Sequence, residues 1–232
     1  MIQVITPTGD RPEAFELCQR WMRNQTYRGE LKWHIVDDGS SAALAQWWEP
    51  AHQRADQLIT WHRLPPMEGN SQHRNMLHLL AQVDPKHPVV IWEDDDYYAP
   101  TWLETVAKKL EKYDIVGQRR NRYYNVCTGA TKAHRNVAHA SLCATALKGL
   151  HNIHELRRQC AMKTRLMDIP LWKRATNKHL FDGMEVIGMK GLPGRPGIAG
   201  GHDIQTDEPF DLSQWVGDDA KHYARFLERP QC

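Results

Sequence analysis

Along the first 110 residues, short β-rich runs alternate with segments of helical composition, and this alternation is the feature that most constrains the fold. The β-rich runs lie at 2–6, 31–36, 58–64 and 89–92. Strand–helix alternation is typical of a mainly parallel sheet that is flanked by helices. We therefore predict an α/β, Rossmann-like fold in a single domain spanning 1–232.

Acidic residues follow three of the four predicted strands. Asp10 follows the first strand, Asp37 and Asp38 follow the second, and residues 93–96 (Glu-Asp-Asp-Asp) follow the fourth. In parallel α/β sheets, ligands bind beyond the carboxyl ends of the strands. The spacing therefore predicts one polar site that is assembled from separate loops.

Residues 93–96, here called the acidic motif, indicate a metal site. Adjacent carboxylates repel one another by roughly 1 kcal/mol per pair even where water screens them. Hard divalent cations such as Mg²⁺ and Mn²⁺ take oxygen ligands and commonly bridge to substrate phosphates. A bound divalent cation is therefore the favoured interpretation, and a solvated acidic loop is the alternative.

Composition narrows the functional class only slightly. The chain is 41% hydrophobic and 25% charged, as in ordinary soluble globular proteins. Its net charge of +2 gives no overall attraction to nucleic acid or membrane. The apolar runs are too short for a transmembrane helix and the N-terminus lacks a signal-peptide pattern, so we expect a cytoplasmic protein without a membrane anchor.

Two segments of the second half add candidate site residues. Asp168 opens a helical segment, where a plain helix cap is the alternative to a chemical role. Residues 188–203 contain six glycines and two prolines, which is typical of a loop that offers backbone N–H groups to a phosphate. Lys190 and Arg195 would add positive charge there, and a mobile surface loop is the alternative.

The region after the acidic motif is predicted to meet the variable partner. Residues 118–125 interleave arginines with tyrosines, a mixture that suits nucleic acid, although an exposed hairpin edge is favoured. Four histidines of this half could line an acceptor site: His134, His139, His151 and His154.

Four motifs, in this order, carry a resemblance to a known family. They are ITPTGDRP (5–12), IVDDGS (35–40), GNSQHRN (69–75) and WEDDDYYAPTWL (92–103). Together they resemble family 2 glycosyltransferases of the GT-A fold. A fifth segment, RLMDIPLWKR (165–174), is similar to the family's acidic residue followed by an apolar-Trp-basic helix.

The resemblance implies a role for each matching residue. Asp95 and Asp96 of the DxD-type motif would bind the metal, with Glu93 able to share that role and the late His202 completing the shell. Asp168 would be the catalytic base, and Asp218-Asp219 is the rival acidic pair. The donor nucleotide would contact Thr6, Pro7, Thr8, Arg11, Asp38, Arg74, Asp94 and Arg195.

The resemblance also implies a reaction. The expected activity is inverting, metal-dependent transfer of a sugar from a nucleotide sugar, a UDP-sugar above others, to the hydroxyl of a saccharide or a hydroxylated DNA base. Residues 1–113 would bind the donor, and 114–232 would bind the acceptor and supply a C-terminal closing loop and helix. The alternatives are a nucleotidyltransferase of related fold and a catalytically silent module that binds nucleotides or nucleic acid.

Overall fold

The structure is a computed structural model that describes residues 1–40, 57–195 and 210–227. The strands are β1 (Ile2–Thr8), β2 (Leu31–Asp37), β3 (Gln57–Arg63), β4 (Val89–Ile91), β5 (Tyr97–Tyr98), β6 (Ile115–Gln118), β7 (Arg120–Asn125), β8 (Thr131–Arg135), β9 (Thr145–Leu147), β10 (Lys178–Phe181) and β11 (Val186–Lys190). The α-helices are α1 (Pro12–Arg23), α2 (Gln72–Gln82), α3 (Trp102–Leu110), α4 (Leu150–Ala161), α5 (Asp168–Arg174) and α6 (Ser213–Val216). Short 3-10 helices cover Leu142–Ala144, Gly217–His222 and Ala224–Phe226.

A seven-stranded sheet with the order β10-β6-β9-β4-β1-β2-β3 forms the centre of the fold. Strands β4, β1, β2 and β3 are parallel neighbours, and β10 is parallel to β6. Strand β9 runs antiparallel between β4 and β6. The carboxyl ends of β1, β2 and β4 therefore meet at one edge, as the sequence predicts.

The central strands are buried on both faces, which explains their nearly continuous apolar sequences. Val4 and Ile5 in β1, and Val90 and Ile91 in β4, are fully buried. Helix α1 covers one face with its apolar side chains, including the buried Trp21. Burial of this kind stabilises the fold by about 25 cal/mol per Å² of apolar surface removed from water.

A smaller sheet with the order β5-β11-β7-β8 packs beside the acidic motif. Strand β5 follows the motif directly and pairs with β11 in antiparallel fashion, and β11 is parallel to β7. The hairpin of β7 and β8 completes this sheet. Because β11 pairs with β5, residues near position 190 are brought against residues 93–96.

The predicted α/β fold with a mainly parallel central sheet is confirmed. Both halves of the chain contribute strands to both sheets, since β9, β6 and β10 extend the sheet begun by β1 to β4.

The helix that begins at Asp168 has Met167 at its cap position and no side-chain cap bond, so the cap interpretation of Asp168 is wrong. A helix expected over 42–55 lies outside the described residues. None of the helices in the described ranges is long and apolar enough to cross a membrane.

Candidate active site

A cavity of about 870 Å³ lies beyond the carboxyl ends of β1 and β4. The acidic motif lies in one wall, and Asp168 lies in the wall contributed by the second half of the chain. The lining residues are Pro7, Thr8, Gly9, Arg11, Gly69, Asn70, Ser71, Gln72, Asn75, Glu93, Asp94, Asp95, Asp96, Tyr123, Ser141, Leu142, Cys143, Arg165, Leu166, Met167, Asp168, Lys190 and Arg195.

Asp94 is held by two side chains from the end of β1 and the loop after it. The Thr8 hydroxyl donates to Asp94 Oδ2 at 2.6 Å, and Arg11 Nη1 donates to Asp94 Oδ1 at 2.6 Å. Arg11 Nη1 also lies 3.2 Å from Asp95 Oδ2. Burial alone would lower the pKa of Arg11, but Asp94 and Asp95 raise it above its usual value, so Arg11 stays charged. Arg11 therefore fixes Asp94 in the wall of the cavity.

Lys190, at the end of β11, is a second cation beside the acidic motif. Its Nζ lies 3.6 Å from Asp96 Oδ1 and 4.0 Å from Asp95 Oδ2. Burial would lower the pKa of Lys190, but the two aspartates raise it above its usual range. Asp96 also accepts the backbone N–H of Met189 at 3.0 Å, and burial raises the pKa of Asp96 to about 6.

Glu93 lies at the base of the cavity, next to a buried cysteine. Its carboxylate accepts a hydrogen bond from Gln72 Nε2 at 3.3 Å, and burial raises the Glu93 pKa well above its usual value. One potential ligand atom from each of Glu93, Asp96 and Cys143 lies within 4.8 Å of the other two. Burial keeps the pKa of the Cys143 thiol well above its usual range, so the thiol stays neutral.

The chemistry of this donor set fits a hard divalent cation better than a soft one. The carboxylates of Glu93, Asp95 and Asp96 supply oxygen ligands, which Mg²⁺ and Mn²⁺ prefer, whereas a neutral thiol is a poor ligand for either. Burial and neighbouring carboxylates disfavour the charged forms of Glu93 and Asp96, and a bound cation would stabilise those forms. His202, the further predicted ligand, lies outside the described residues.

Asp38 is the centre of a second ion-pair cluster. Arg195 pairs with it through both terminal nitrogens, and Arg74 Nη2 donates to Asp38 Oδ2 at 2.8 Å. Burial would raise the pKa of Asp38, but hydrogen bonds from Arg195 and Ser71 hold it below its usual value. Arg195 Nη1 also donates to the Ser71 hydroxyl at 3.1 Å. Arg195 lines the cavity, and the carboxylate of Asp38 lies behind it.

Two glycines allow Arg195 to approach Asp38. Gly194 has a φ of 108°, and a Cβ there would collide with the backbone oxygen of Asp10. A Cβ on Gly9 would collide with the paired groups of Arg195 and Asp38. The backbone oxygen of Arg195 in turn accepts a bond from Arg11 Nε at 2.6 Å. The bond between Arg11 and Arg195 thus joins the ion-pair cluster of Asp94 to that of Asp38.

Thr6, the first of the predicted nucleotide contacts, is fully buried and does not line the cavity. Its hydroxyl accepts a hydrogen bond from Trp33 Nε1 at 2.9 Å. Thr6 lies two residues deeper along β1 than Thr8, so the end of the strand covers it. Pro7 and Thr8 are the residues of this strand that reach the cavity, and the contact of Thr6 with a nucleotide stays a prediction.

Asp168 also lines the cavity, and within the described residues one basic side chain lies within 4.0 Å of its carboxylate. His139 Nε2 lies 3.9 Å from Asp168 Oδ2. Burial raises the pKa of Asp168, and His139 partly offsets this rise. A carboxylate with a raised pKa that opens onto a cavity is suited to accept a proton.

The other sequence candidates lie elsewhere. Asp219 accepts a hydrogen bond from the Tyr97 hydroxyl at 2.9 Å and, like Asp218, is not among the cavity residues. Residues 120–125 form strand β7 of a hairpin with β8, but the expected exposed edge is wrong for this strand, because β7 pairs with β11 on its other side and β8 is the edge. His151 and His154 are exposed on α4.

Several lining residues had no signal in the sequence. Ser141, Leu142 and Cys143 belong to no recognisable motif, and the fold alone brings them to the cavity. The sequence predicts Lys190 as a source of positive charge for a phosphate, but it does not predict the contact of Lys190 with the acidic motif.

Comparisons with known proteins agree with this geometry. The model of the family described as glycosyl transferase family 2 matches residues 3–174. No curated protein is significantly similar in sequence.

Solved structures share the fold at low sequence identity. S. aureus TarS matches with a TM-score of 0.58 and 14% identity over 81% of this chain and 36% of TarS. A shorter TarS structure in complex with UDP-GlcNAc matches with a TM-score of 0.55 and 13% identity over 88% of this chain and 61% of that one. The mannosyltransferase PcManGT from Pyrobaculum calidifontis, in complex with GDP-Man and Mn²⁺, matches with a TM-score of 0.53 and 15% identity over 83% and 57%.

This chain therefore spans less than two thirds of each of these neighbours, which share its GT-A fold. The family model covers well over half of the 232 residues, and it includes the acidic motif and Asp168. The chain belongs to glycosyl transferase family 2.

Proposed function

We propose that this protein is an inverting, metal-dependent glycosyltransferase that moves a sugar from a UDP-sugar to a hydroxyl acceptor. The observation that carries the proposal is one cavity that is lined by both the acidic motif and the partly buried Asp168 carboxylate. Family membership supports glycosyl transfer over the alternatives of nucleotidyl transfer and a silent binding module.

The donor wall is the side of the cavity formed by residues 7–11, the acidic motif, Lys190 and Arg195. We assign it to the nucleotide diphosphate, because Arg11 and Lys190 are buried cations that can contact phosphate oxygens directly. TarS structures contain UDP or UDP-GlcNAc, which supports a UDP-sugar here. Asp38 would accept a hydrogen bond from the nucleotide base of the donor once its ion pair with Arg195 opens.

The divalent cation would be held by Asp95 and Asp96, with Glu93 beside them. When bound, such an ion neutralises charge on a diphosphate leaving group. PcManGT was crystallised with Mn²⁺, which supports Mn²⁺ as the first ion to test. Arg11 and Lys190 stabilise the same developing charge from fixed positions in the wall.

The acceptor wall is the remainder of the cavity lining that we assign to the acceptor: Tyr123, residues 141–143 and residues 165–168. Asp168 would remove the proton from the acceptor hydroxyl as its oxygen attacks the anomeric carbon. The bond from that carbon to the diphosphate breaks, and UDP leaves with the electron pair. A single displacement of this kind inverts the anomeric configuration. A saccharide and a hydroxylated DNA base are the two acceptors under consideration.

A thermal-shift panel tests the donor assignment. Ligands that bind only the folded state stabilise it by about 2.7 kcal/mol at one hundred times their dissociation constant. UDP, GDP, CDP and ADP would each be added with and without Mn²⁺. We expect UDP with Mn²⁺ to give the largest rise in Tm. If none of the four raised Tm under either condition, the proposed function would be wrong.

A further inference from the structure

The hairpin of β7 and β8 and the residue before it carry a cluster of positive charge. Arg119, Arg120, Lys132 and Arg135 lie on it or directly beside it, whereas the whole chain has a net charge of only +2. Three of these guanidinium groups share one carboxylate: Asp182 lies 4.0 Å from Arg119 Nε, 3.2 Å from Arg120 Nε and 3.8 Å from Arg135 Nη2. One acid cannot neutralise three cations, so this surface carries an excess of positive charge.

The same surface is open to a partner. Strand β8 lies at the edge of the smaller sheet, and the side chains from Lys132 to Arg135 are all exposed. Basic residues on an edge strand also discourage pairing with other strands, which is the alternative explanation for their presence. That explanation does not account for Arg119 and Arg120, because they lie outside the edge strand.

The basic hairpin is continuous with the acceptor wall. Tyr123 lies opposite Lys132 in the hairpin register and lines the cavity, and the His134 ring lies 6.3 Å from the Tyr123 ring. The loop after β8 leads directly to the cavity residue Ser141 and includes His139, the neighbour of Asp168. Because side chains alternate along a strand, Lys132 and His134 share a sheet face with Tyr123, whereas Arg120 and Arg135 lie on the other face. A polymer that crosses the exposed edge of β8 can therefore contact both sets of basic side chains and approach Tyr123 at the cavity.

We infer that this hairpin binds the phosphodiester backbone of a nucleic acid strand, one of whose nucleotides supplies the acceptor hydroxyl. Arginine and lysine bind phosphates through charge-assisted hydrogen bonds. Tyr123 offers an aromatic ring inside the cavity on which a base can stack. A neutral saccharide would gain no charge-assisted contact from these cations, of which Arg120, Lys132 and Arg135 are exposed. The inference rests on the proposed function, because it names the acceptor class for the same cavity.

The salt dependence of oligonucleotide binding tests the inference without any donor. For single strands, the logarithm of the binding constant falls with the logarithm of salt concentration by about 0.7 per phosphate contact. Four contacts predict a slope of about −3 in fluorescence anisotropy with a labelled single-stranded DNA. The double variant Arg120→Gln/Lys132→Gln should reduce the slope to about −1.4 and weaken binding at low salt.

Two further variants provide the controls. Lys86→Gln/Lys112→Gln removes the same charge from exposed positions that precede β4 and β6, at the opposite ends of these strands from the cavity, and should leave the slope unchanged. Asp182→Asn removes the shared carboxylate and should tighten binding. Equal losses in both double variants, or no measurable binding at low salt, would overturn the inference.

A competing polyanion tests whether the hairpin prefers nucleic acid. A titration with UDP distinguishes a failure of this inference from a failure of the proposed donor site. A sulfated polysaccharide of matched charge should displace the DNA poorly, and equal affinity for it would contradict the assignment to nucleic acid. UDP binding with Mn²⁺ should be the same in wild type and Arg120→Gln/Lys132→Gln. If UDP binds but DNA does not, only this inference fails; if UDP does not bind, the donor assignment fails.

Discussion

The two walls of the cavity are built differently. On the donor wall, carboxylates and cations contact each other closely: Arg11 contacts Asp94 at 2.6 Å, and Arg195 pairs with Asp38 directly behind the wall. On the acceptor wall, the basic side chain closest to the Asp168 carboxylate among the ion pairs of the described residues is the His139 imidazole, at 3.9 Å. Fixed charge suits a wall that must stabilise a diphosphate, whereas a loosely held carboxylate remains able to take a proton. The difference indicates that binding and proton transfer are assigned to separate walls.

Replacing the base is expected to give the largest effect on activity. Asp168→Asn keeps the size of the side chain but removes its ability to accept a proton, so kcat should fall by about 10²- to 10⁴-fold. The measurement is UDP release at saturating donor and acceptor. Transfer at the wild-type rate would show that the acceptor wall does not supply the base.

Removing the buried cation on the donor wall should cost stability. Lys190→Met leaves Asp95 and Asp96 without this partner, and loss of one member of a buried pair typically destabilises by about 3–5 kcal/mol. Chemical denaturation measures the loss. Mn²⁺ should restore more stability to this variant than to Lys86→Met, an exposed control. If Mn²⁺ stabilised the two variants equally, Lys190 would not be a neighbour of the metal site.

The pH profile sharpens the description of the acceptor wall. Burial raises the pKa of Asp168 and His139 lowers it, so activity should be present above the raised pKa and lost as the pH falls through it. His139→Gln removes the lowering effect, so the acidic limb of kcat should move to higher pH, by about one unit or less. An acidic limb that stays in place would exclude His139 as a neighbour that tunes the base.

The smallest effect is expected for the rival acidic pair. Asp219→Asn weakens a hydrogen bond with Tyr97, so it should destabilise the fold by about 1 kcal/mol and leave kcat unchanged. Asp218→Asn is the matched control from the adjacent position. A fall in kcat comparable to that of Asp168→Asn would transfer the role of the base to Asp219.

Most of the donor wall could be predicted from the sequence. Thr8, Asp38 and Asp94 follow parallel strands, and the carboxyl ends of such strands must meet at one edge. The order of the four sequence motifs then favours a family 2 glycosyltransferase site over an unrelated acidic loop. Thr6 is buried two positions before the end of β1, and its predicted contact with the nucleotide stays a prediction.

The acceptor wall could be predicted only in part. The motif that contains Asp168 indicates its role, but Tyr123 and Ser141 reach the cavity through pairing in the smaller sheet and the loop after β8. Such contacts depend on strand partners distant in sequence, which periodicity does not reveal. Lys190 meets the acidic motif only because β11 pairs with β5.

A calorimetric titration of UDP into Asp95→Asn and Asp168→Asn, with Mn²⁺ present, tests the separation of the two walls most directly. We predict that Asp95→Asn weakens UDP binding by about 10- to 100-fold, as loss of groups around a metal typically does. Asp168→Asn should bind UDP with the wild-type dissociation constant. Equal losses in both variants, or no loss in either, would contradict the assignment of donor binding to one wall and proton transfer to the other.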